Sequence, residues 1–157
     1  VPEILLSRPV ERKVGLPKDV VLYATQGGTS KEVAEKVAAA IGYAVHDING
    51  VTVGEIASCN HVIFAVATYG RGAPPAAATS FWGSLQNSND QLPQLKYSVI
   101  GLGSSGFAKT FCGFGKDLDA ALQKLGATQM MELCTIDDQE DYPEIVEKWI
   151  EGFKSLK

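Results

Sequence analysis

Val20-Val21-Leu22-Tyr23-Ala24-Thr25-Gln26-Gly27-Gly28-Thr29-Ser30 joins a short apolar run to a glycine pair set among hydroxyls. A nearly continuous β-branched run of this length fits a strand buried on both faces of a parallel sheet. Val33, Val37, Ala40 and Ile41 follow at helical spacing, so the stretch reads as strand, turn and helix. The pattern recurs at Val62 to Ala67 (VIFAVA) and at Tyr97 to Leu102 (YSVIGL), the latter followed by Leu118, Leu122 and Leu125. Tyr43 to Ile48 and Thr128 to Cys134 supply two further strands. A closing helix near Pro143 to Leu156 shows Ile145, Trp149, Ile150 and Phe153. Five strands alternating with helices predict an α/β fold: a three-layer, doubly wound, five-stranded parallel sheet of order 2-1-3-4-5. Residues 1–18, with Pro2, Pro9 and Pro17, read as a lead-in or linker, and 19–157 as the domain proper.

Composition sets the outer bounds. The 157 residues are 45% hydrophobic and 20% charged, with 16 Gly and 7 Pro, which suits one globular domain and excludes disorder and collagen-like repeats. A chain of this size buries roughly 70% of its unfolded surface, so it needs no disulfide or metal to fold. No apolar run approaches the roughly 18 residues of a membrane span. A net charge of -4 lacks the basic field that a phosphate backbone requires, so no direct nucleic-acid ligand is expected. Residues 132–151 hold eight acids and one base, either a solvated helix face or a docking surface. Cys59, Cys112 and Cys134 are widely spaced and without a Cys-x-x-Cys, which predicts reduced thiols and a cytoplasmic setting. His46 and His61 lie in or near strand edges without a Ser or Cys partner at any motif and read as structural. The start at Val1, without a signal pattern, suggests a processed product or a module of something longer.

Ligands of an open parallel sheet sit beyond the carboxyl ends of its strands, where strand order reverses. Three loops meet there. In Thr25 to Ser30 the glycines let backbone amides approach a ligand, the hydroxyls of Thr25, Thr29 and Ser30 can donate to an oxyanion, and the helix start adds positive charge. The structural alternative is a capping box at Thr29-Ser30-Lys31-Glu32. No Gly-Lys-Ser/Thr follows, which excludes a nucleoside-triphosphate loop and leaves one monophosphate. The second loop, Thr68-Tyr69-Gly70-Arg71-Gly72, offers Tyr69 for stacking on a planar ring and the Gly70 peptide for turning toward it; a surface tyrosine in a Gly/Pro turn is the plain alternative. The third, Gly101-Leu102-Gly103-Ser104-Ser105-Gly106-Phe107, matches Gly-x-Gly-x-x-Gly. Only 51 residues remain after Gly106, and no acid falls at the end of a following strand about 20 residues on, so we read close backbone passage past a ring, with Phe107 as a second stacking aromatic or else a core residue. A phosphate cradle and two aromatics around a slot describe a site for riboflavin phosphate, FMN.

These segments resemble the FMN-binding flavodoxin-like domains of diflavin reductases and of radical-SAM tRNA wybutosine synthases, over roughly residues 18 to 155. Thr25-Gln26-Gly27-Gly28-Thr29 is similar to the families' Ser-Gln-Thr-Gly-Thr, with Gly27 in place of a hydroxyl donor. Ala67-Thr68-Tyr69-Gly70 is similar to their Ala-Thr-Tyr segment, and Arg71-Gly72-Ala73 departs from the Glu-Gly-Asp usual in diflavin reductases. Gly101 through Lys116 resembles the third motif, one residue longer than in most diflavin reductases and closer to the wybutosine synthase pattern. Asp137-Asp138 resembles the acidic loop after the fifth strand. The resemblance implies an FMN site made of Thr25, Gln26, Gly27, Gly28, Thr29, Ser30, Thr68, Tyr69, Gly70, Gly72, Gly101, Gly103, Phe107, Phe111 and Asp138, with no catalytic side chain and no metal.

The implied activity is a single-electron relay, with an FAD/NADPH reductase domain or protein as donor and a haem or iron-sulfur protein or domain as acceptor. No membrane contact is implied within this chain; a setting on the cytoplasmic face of a membrane follows if an anchor precedes Val1. Two alternatives stand beside it: a degenerate flavodoxin-like docking domain without FMN, and a dinucleotide-binding dehydrogenase domain using Gly101 to Gly106. A phospho-receiver shares the strand order but needs acids where Thr25 and Tyr69 stand.

Overall fold

A computed structural model describes residues 18–24, 29–49, 51–67, 78–88, 92, 95–103, 113–137 and 143–155. Its strands are β1 (Asp19–Ala24), β2 (Ala44–Asp47), β3 (His61–Ala67), β4 (Lys96–Gly103), β5 (Thr128–Gln129) and β6 (Cys134–Asp137). Its helices are α1 (Thr29–Ile41), α2 (Val53–Ala57), α3 (Thr79–Gln86), α4 (Gly113–Lys124) and α5 (Pro143–Lys154). All pairings are parallel: β1 lies between β2 and β3, β3 pairs β4, and β4 pairs both β5 and β6. Counting β5 and β6 as one position, the order is the expected 2-1-3-4-5.

The fifth strand differs from its reading as one run from Thr128 to Cys134. Thr128 and Gln129 pair with Lys96 and Tyr97, the Met130 amide donates to the Tyr97 carbonyl at 2.8 Å, and pairing resumes only at Cys134, opposite Ile100. The exposed pair Thr128–Gln129 ties the near end of β4, while the buried Ile136 carries the core contact.

Alternation along the central strands splits the core in two. Val20, Leu22 and Ala24 of β1, with Val62, Phe64 and Val66 of β3, face α3 and α4 and their Phe81, Leu85, Phe114, Leu118 and Leu122. Val21, Ile63, Ala65, Ile100 and Leu102 face α1 and α5. This two-sided burial is why these strands lack polar alternation in sequence. On α1 the buried stripe is Val33, Ala34, Val37 and Ala38, with Ala40 exposed and Ile41 half-buried, a one-position rotation from the expected face. On α5 the stripe is Val146, Trp149, Ile150 and Phe153, and Ile145 is instead exposed, because it falls one residue off that face. Glu144, Glu147 and Glu151 line the solvent side, with Lys36 of α1 paired to Glu147 at 3.1 Å. Gly42, at φ 81°, closes α1 in the left-handed region that glycine enters without strain. Among the described residues no helix is long and apolar enough to cross a membrane.

Candidate functional site

The register places the carboxyl ends of the strands along one edge. Ala24 stands opposite Val66, Ala67 opposite Leu102, and Gly103 opposite Asp137. With about 4.8 Å between neighbouring strands, the chain exits of β1, β3, β4 and β6 fall within about 15 Å of one another. The three loops singled out by sequence start from the first three of these exits, and the acidic segment from the fourth.

Four of the expected site residues are described. Thr29 and Ser30 form the first turn of α1, and Gly101 and Gly103 end β4, both buried. Thr25, Gln26, Gly27, Gly28, Thr68, Tyr69, Gly70, Gly72, Phe107, Phe111 and Asp138 lie outside the described residues, as does Cys112.

Ser30 is wholly buried, and its Oγ has no hydrogen-bond partner among the described residues. A buried hydroxyl without a partner costs about 1–3 kcal/mol, and Trp149 Nε1 is the other such atom among the described residues, away from the loop edge. Ser30 sits in the first turn of a thirteen-residue helix, where backbone amides lack intrahelical acceptors and the helix dipole favours an anion. A phosphate monoester suits that donor set. The residues present therefore fit the phosphate end of FMN.

At the opposite end of the sheet lies a buried polar chain that no sequence motif marks. His61 has a serine partner: its Nε2 lies 3.1 Å from Ser98 Oγ, and its Nδ1 2.9 Å from the Tyr43 hydroxyl. Ser98 and Tyr43 come from other strands or their approaches, 37 and 18 residues away, so no local motif announces them. The chain of hydroxyl, imidazole and hydroxyl does not make a hydrolytic site, since Ser98 is wholly buried and His61 is 2% exposed. Phe153 stacks on the imidazole at 5.3 Å and Trp149 on Phe153 at 5.5 Å, closing the core over it. Burial, aided by the charge of Asp19, pushes the Tyr43 phenol up to about 12.

Other titratable groups also favour their neutral forms. Burial raises the thiols of Cys59 and Cys134 to about 11, so neither behaves as a reactive thiolate near neutrality. Tyr97, wholly buried, donates to Asp119 Oδ1 at 2.8 Å, and burial together with that bond holds its phenol well above the usual range. A cavity of about 450 Å³ lined by Lys18, Ser58, Cys59 and Asn60 opens at the amino ends of β1 and β3, away from the edge where the loops converge.

Comparison with known proteins concerns the chain as a whole. The flavodoxin family model matches residues 21–149. The sulfite reductase [NADPH] flavoprotein alpha-component of Vibrio cholerae is 33% identical over 155 residues, covering 95% of this chain and 24% of that protein. Methionine synthase reductase of Mus musculus is 32% identical over 155 residues, covering 87% of this chain and 22% of that protein. The chain thus spans about a quarter of the length of these relatives, both diflavin reductases. Among solved structures, a Streptococcus pneumonia flavodoxin superposes with a TM-score of 0.75 at 23% identity, covering 88% of this chain and 99% of its own. A short-chain flavodoxin associated with a PDU bacterial microcompartment gives 0.74 at 28% identity, covering 90% and 98%. Flavodoxin domains of this kind bind FMN.

Proposed function

We propose that this chain, which belongs to the flavodoxin family, binds FMN at the carboxyl edge of its sheet and relays single electrons as one module of a larger oxidoreductase. The observation that carries this reading is Ser30 Oγ, buried and without a partner among the described residues in the first turn of α1. The amides of that turn, with Ser30, Thr29 and Thr25, hold the phosphate; Gln26, Gly27 and Gly28 bring the backbone close to it. Tyr69 and Phe107 stack on the isoalloxazine, Phe111 adds an aromatic beside it, and Thr68, Gly70, Gly72, Gly101 and Gly103 give it close backbone. Asp138 meets the ribityl chain. When bound, FMN supplies one-electron chemistry that no side chain of the protein has. The protein's own part is to bind and orient the ring, to keep water from one face, and to disfavour negative charge on it through nearby acids.

The relatives are diflavin reductases, which favours an FAD/NADPH domain as donor; as acceptor we propose a haem or iron-sulfur centre. The relatives favour a diflavin arrangement over the wybutosine synthase arrangement, and the family match favours riboflavin phosphate over a dinucleotide at Gly101 to Gly106. We take residues 19–157 as the FMN-binding unit.

An absorption spectrum of the purified protein, taken before and after added FMN and then anaerobic dithionite, tests the reading. We expect a two-band flavin spectrum that bleaches on reduction and is lost in a Tyr69→Ala, Phe107→Ala double variant. A colourless protein indifferent to FMN overturns the relay and leaves a docking domain.

A further inference from the structure

Gly115, the third residue of α4, is buried against β4. A Cβ built on it meets Gly101 Cα at 3.0 Å and Val99 Cγ1 at 3.7 Å. The first neighbour is backbone and has no rotamer to give, so a larger residue at 115 makes α4 and β4 part by a few tenths of an ångström here. Helix propensity does not account for the glycine, since it is a poor choice inside a helix. Gly83 of α3 makes the contrast: nothing stands within 4 Å of a Cβ built there.

The two glycines occupy matching places. Gly101 stands two residues before the end of β4 at Gly103, and Gly115 two residues after the start of α4 at Gly113. Their contact therefore sets the separation of the two chain ends that residues 104–112 connect, at the edge where the strand exits converge. Farther along α4 the helix is pinned independently: Asp119 takes hydrogen bonds from Tyr97 of β4 and Gln129 of β5. An outward push at Gly115 is thus expressed as a tilt of the helix start rather than as a shift of the whole helix.

We propose that Gly115 is a positioning residue for the flavin: by letting α4 close onto Gly101, it fixes how far the α4 start stands from the β4 end, at the sheet edge where the FMN site is proposed. The inference rests on the FMN reading above. A side chain at 115 tilts the α4 start away from β4, loosens the ring's surroundings and changes how the protein weighs its oxidised against its reduced form.

The test compares the wild type with Gly115→Ala, Val99→Ile and Gly83→Ala. Val99→Ile adds bulk beside Gly115 from the strand side and leaves the glycine in place; Gly83→Ala makes the same chemical change as Gly115→Ala in open space. FMN affinity is read by fluorescence titration, the midpoint potential by spectroelectrochemistry, and the stability of the FMN-free chain by thermal unfolding. We expect about tenfold weaker binding in Gly115→Ala, a smaller loss in Val99→Ile, and a displaced potential in both. Gly83→Ala keeps the wild-type affinity and potential. If Gly115→Ala does not fold, Val99→Ile decides. Wild-type affinity and potential in the variants that fold overturn the inference, as does a loss of affinity that follows stability while the potential stays fixed. A wild type that takes up no FMN sinks the underlying reading instead, and shows it before any variant is compared.

Discussion

The hydroxyl of Tyr43 lies 2.9 Å from Nδ1 of His61, joining the segment before β2 to the first residue of β3 across β1. The ring of Tyr43 also meets the imidazole edge-on at 5.6 Å and Phe153 at 5.8 Å, so its apolar body and its polar tip do separate work. Tyr43→Phe keeps the ring contacts and strips one hydrogen bond from a buried imidazole. We expect a loss of about 1–2 kcal/mol, seen as a lower urea midpoint with an unchanged slope.

Stability falls on the alkaline side. The thiols of Cys59 and Cys134 rise from 9.0 to about 11, and the Tyr43 phenol from 10.0 to about 12, each chiefly through burial. The folded state holds these protons more tightly than the unfolded one, so their contribution is complete below pH 9 and is lost as pH climbs through 11 to 12. Denaturant titrations at stepped pH should show the decline beginning near pH 9 in the wild type. In a Cys59→Ala, Cys134→Ala variant it should begin near pH 10, where Tyr43 and Tyr97 take over.

Ser30→Ala separates the ligand role from the structural one by sign. Removing a buried, unpartnered hydroxyl leaves the FMN-free chain as stable as before or more so, by up to about 1 kcal/mol. The same change removes a donor from the phosphate and weakens FMN binding by about tenfold, roughly the worth of one hydrogen bond to a charged group. Thermal unfolding of the FMN-free chain and a fluorescence titration read the two effects. A variant that loses stability without losing affinity contradicts the assignment.

Asp119 gathers three donors: Tyr97 at 2.8 Å and Gln129 at 2.9 Å on Oδ1, and Gln123 at 3.1 Å on Oδ2. Asp119→Ala takes the short bond from the buried Tyr97 hydroxyl and leaves it the longer one to the backbone carbonyl of residue 119, at 3.3 Å, and its contact with Gln123. A loss of about 1–3 kcal/mol is expected. Asp119→Asn, which keeps one carbonyl oxygen for Tyr97, should recover part of it in the same denaturant series.

The strands that the sequence makes plain are those buried on both faces, because Val20 to Ala24 and Val62 to Ala67 have no solvent side to interrupt the apolar run. The short α2 escapes a search for periodicity, although Thr52 and Glu55 form a capping box, with the Glu55 amide donating to Thr52 Oγ1 at 3.1 Å and the Thr52 amide to Glu55 Oε1 at 3.0 Å. Thr-x-x-Glu was the signal for it. In α3 only Phe81 and Leu85 are buried, and two points four residues apart define no repeat. Of the proposed phosphate end, the helix start was readable, because Val33 and Val37 follow Thr29 and Ser30 at helical spacing. The partners of His61 were not, since they meet it only through strand pairing. Tyr69 and Phe107, which the FMN reading needs most, lie outside the described residues.

β3 has a parallel neighbour on each side from His61 to Val66, and Val62 through Val66 have no exposure at all. Both neighbours lie far away in the chain, beyond intervening helices, so none of these hydrogen bonds can be made by a local hairpin. No partial fraying therefore exposes the amides of Ile63 to Val66. In deuterated buffer they should exchange together and last, on the timescale of complete unfolding, which makes this one strand a clock for the integrity of the whole fold.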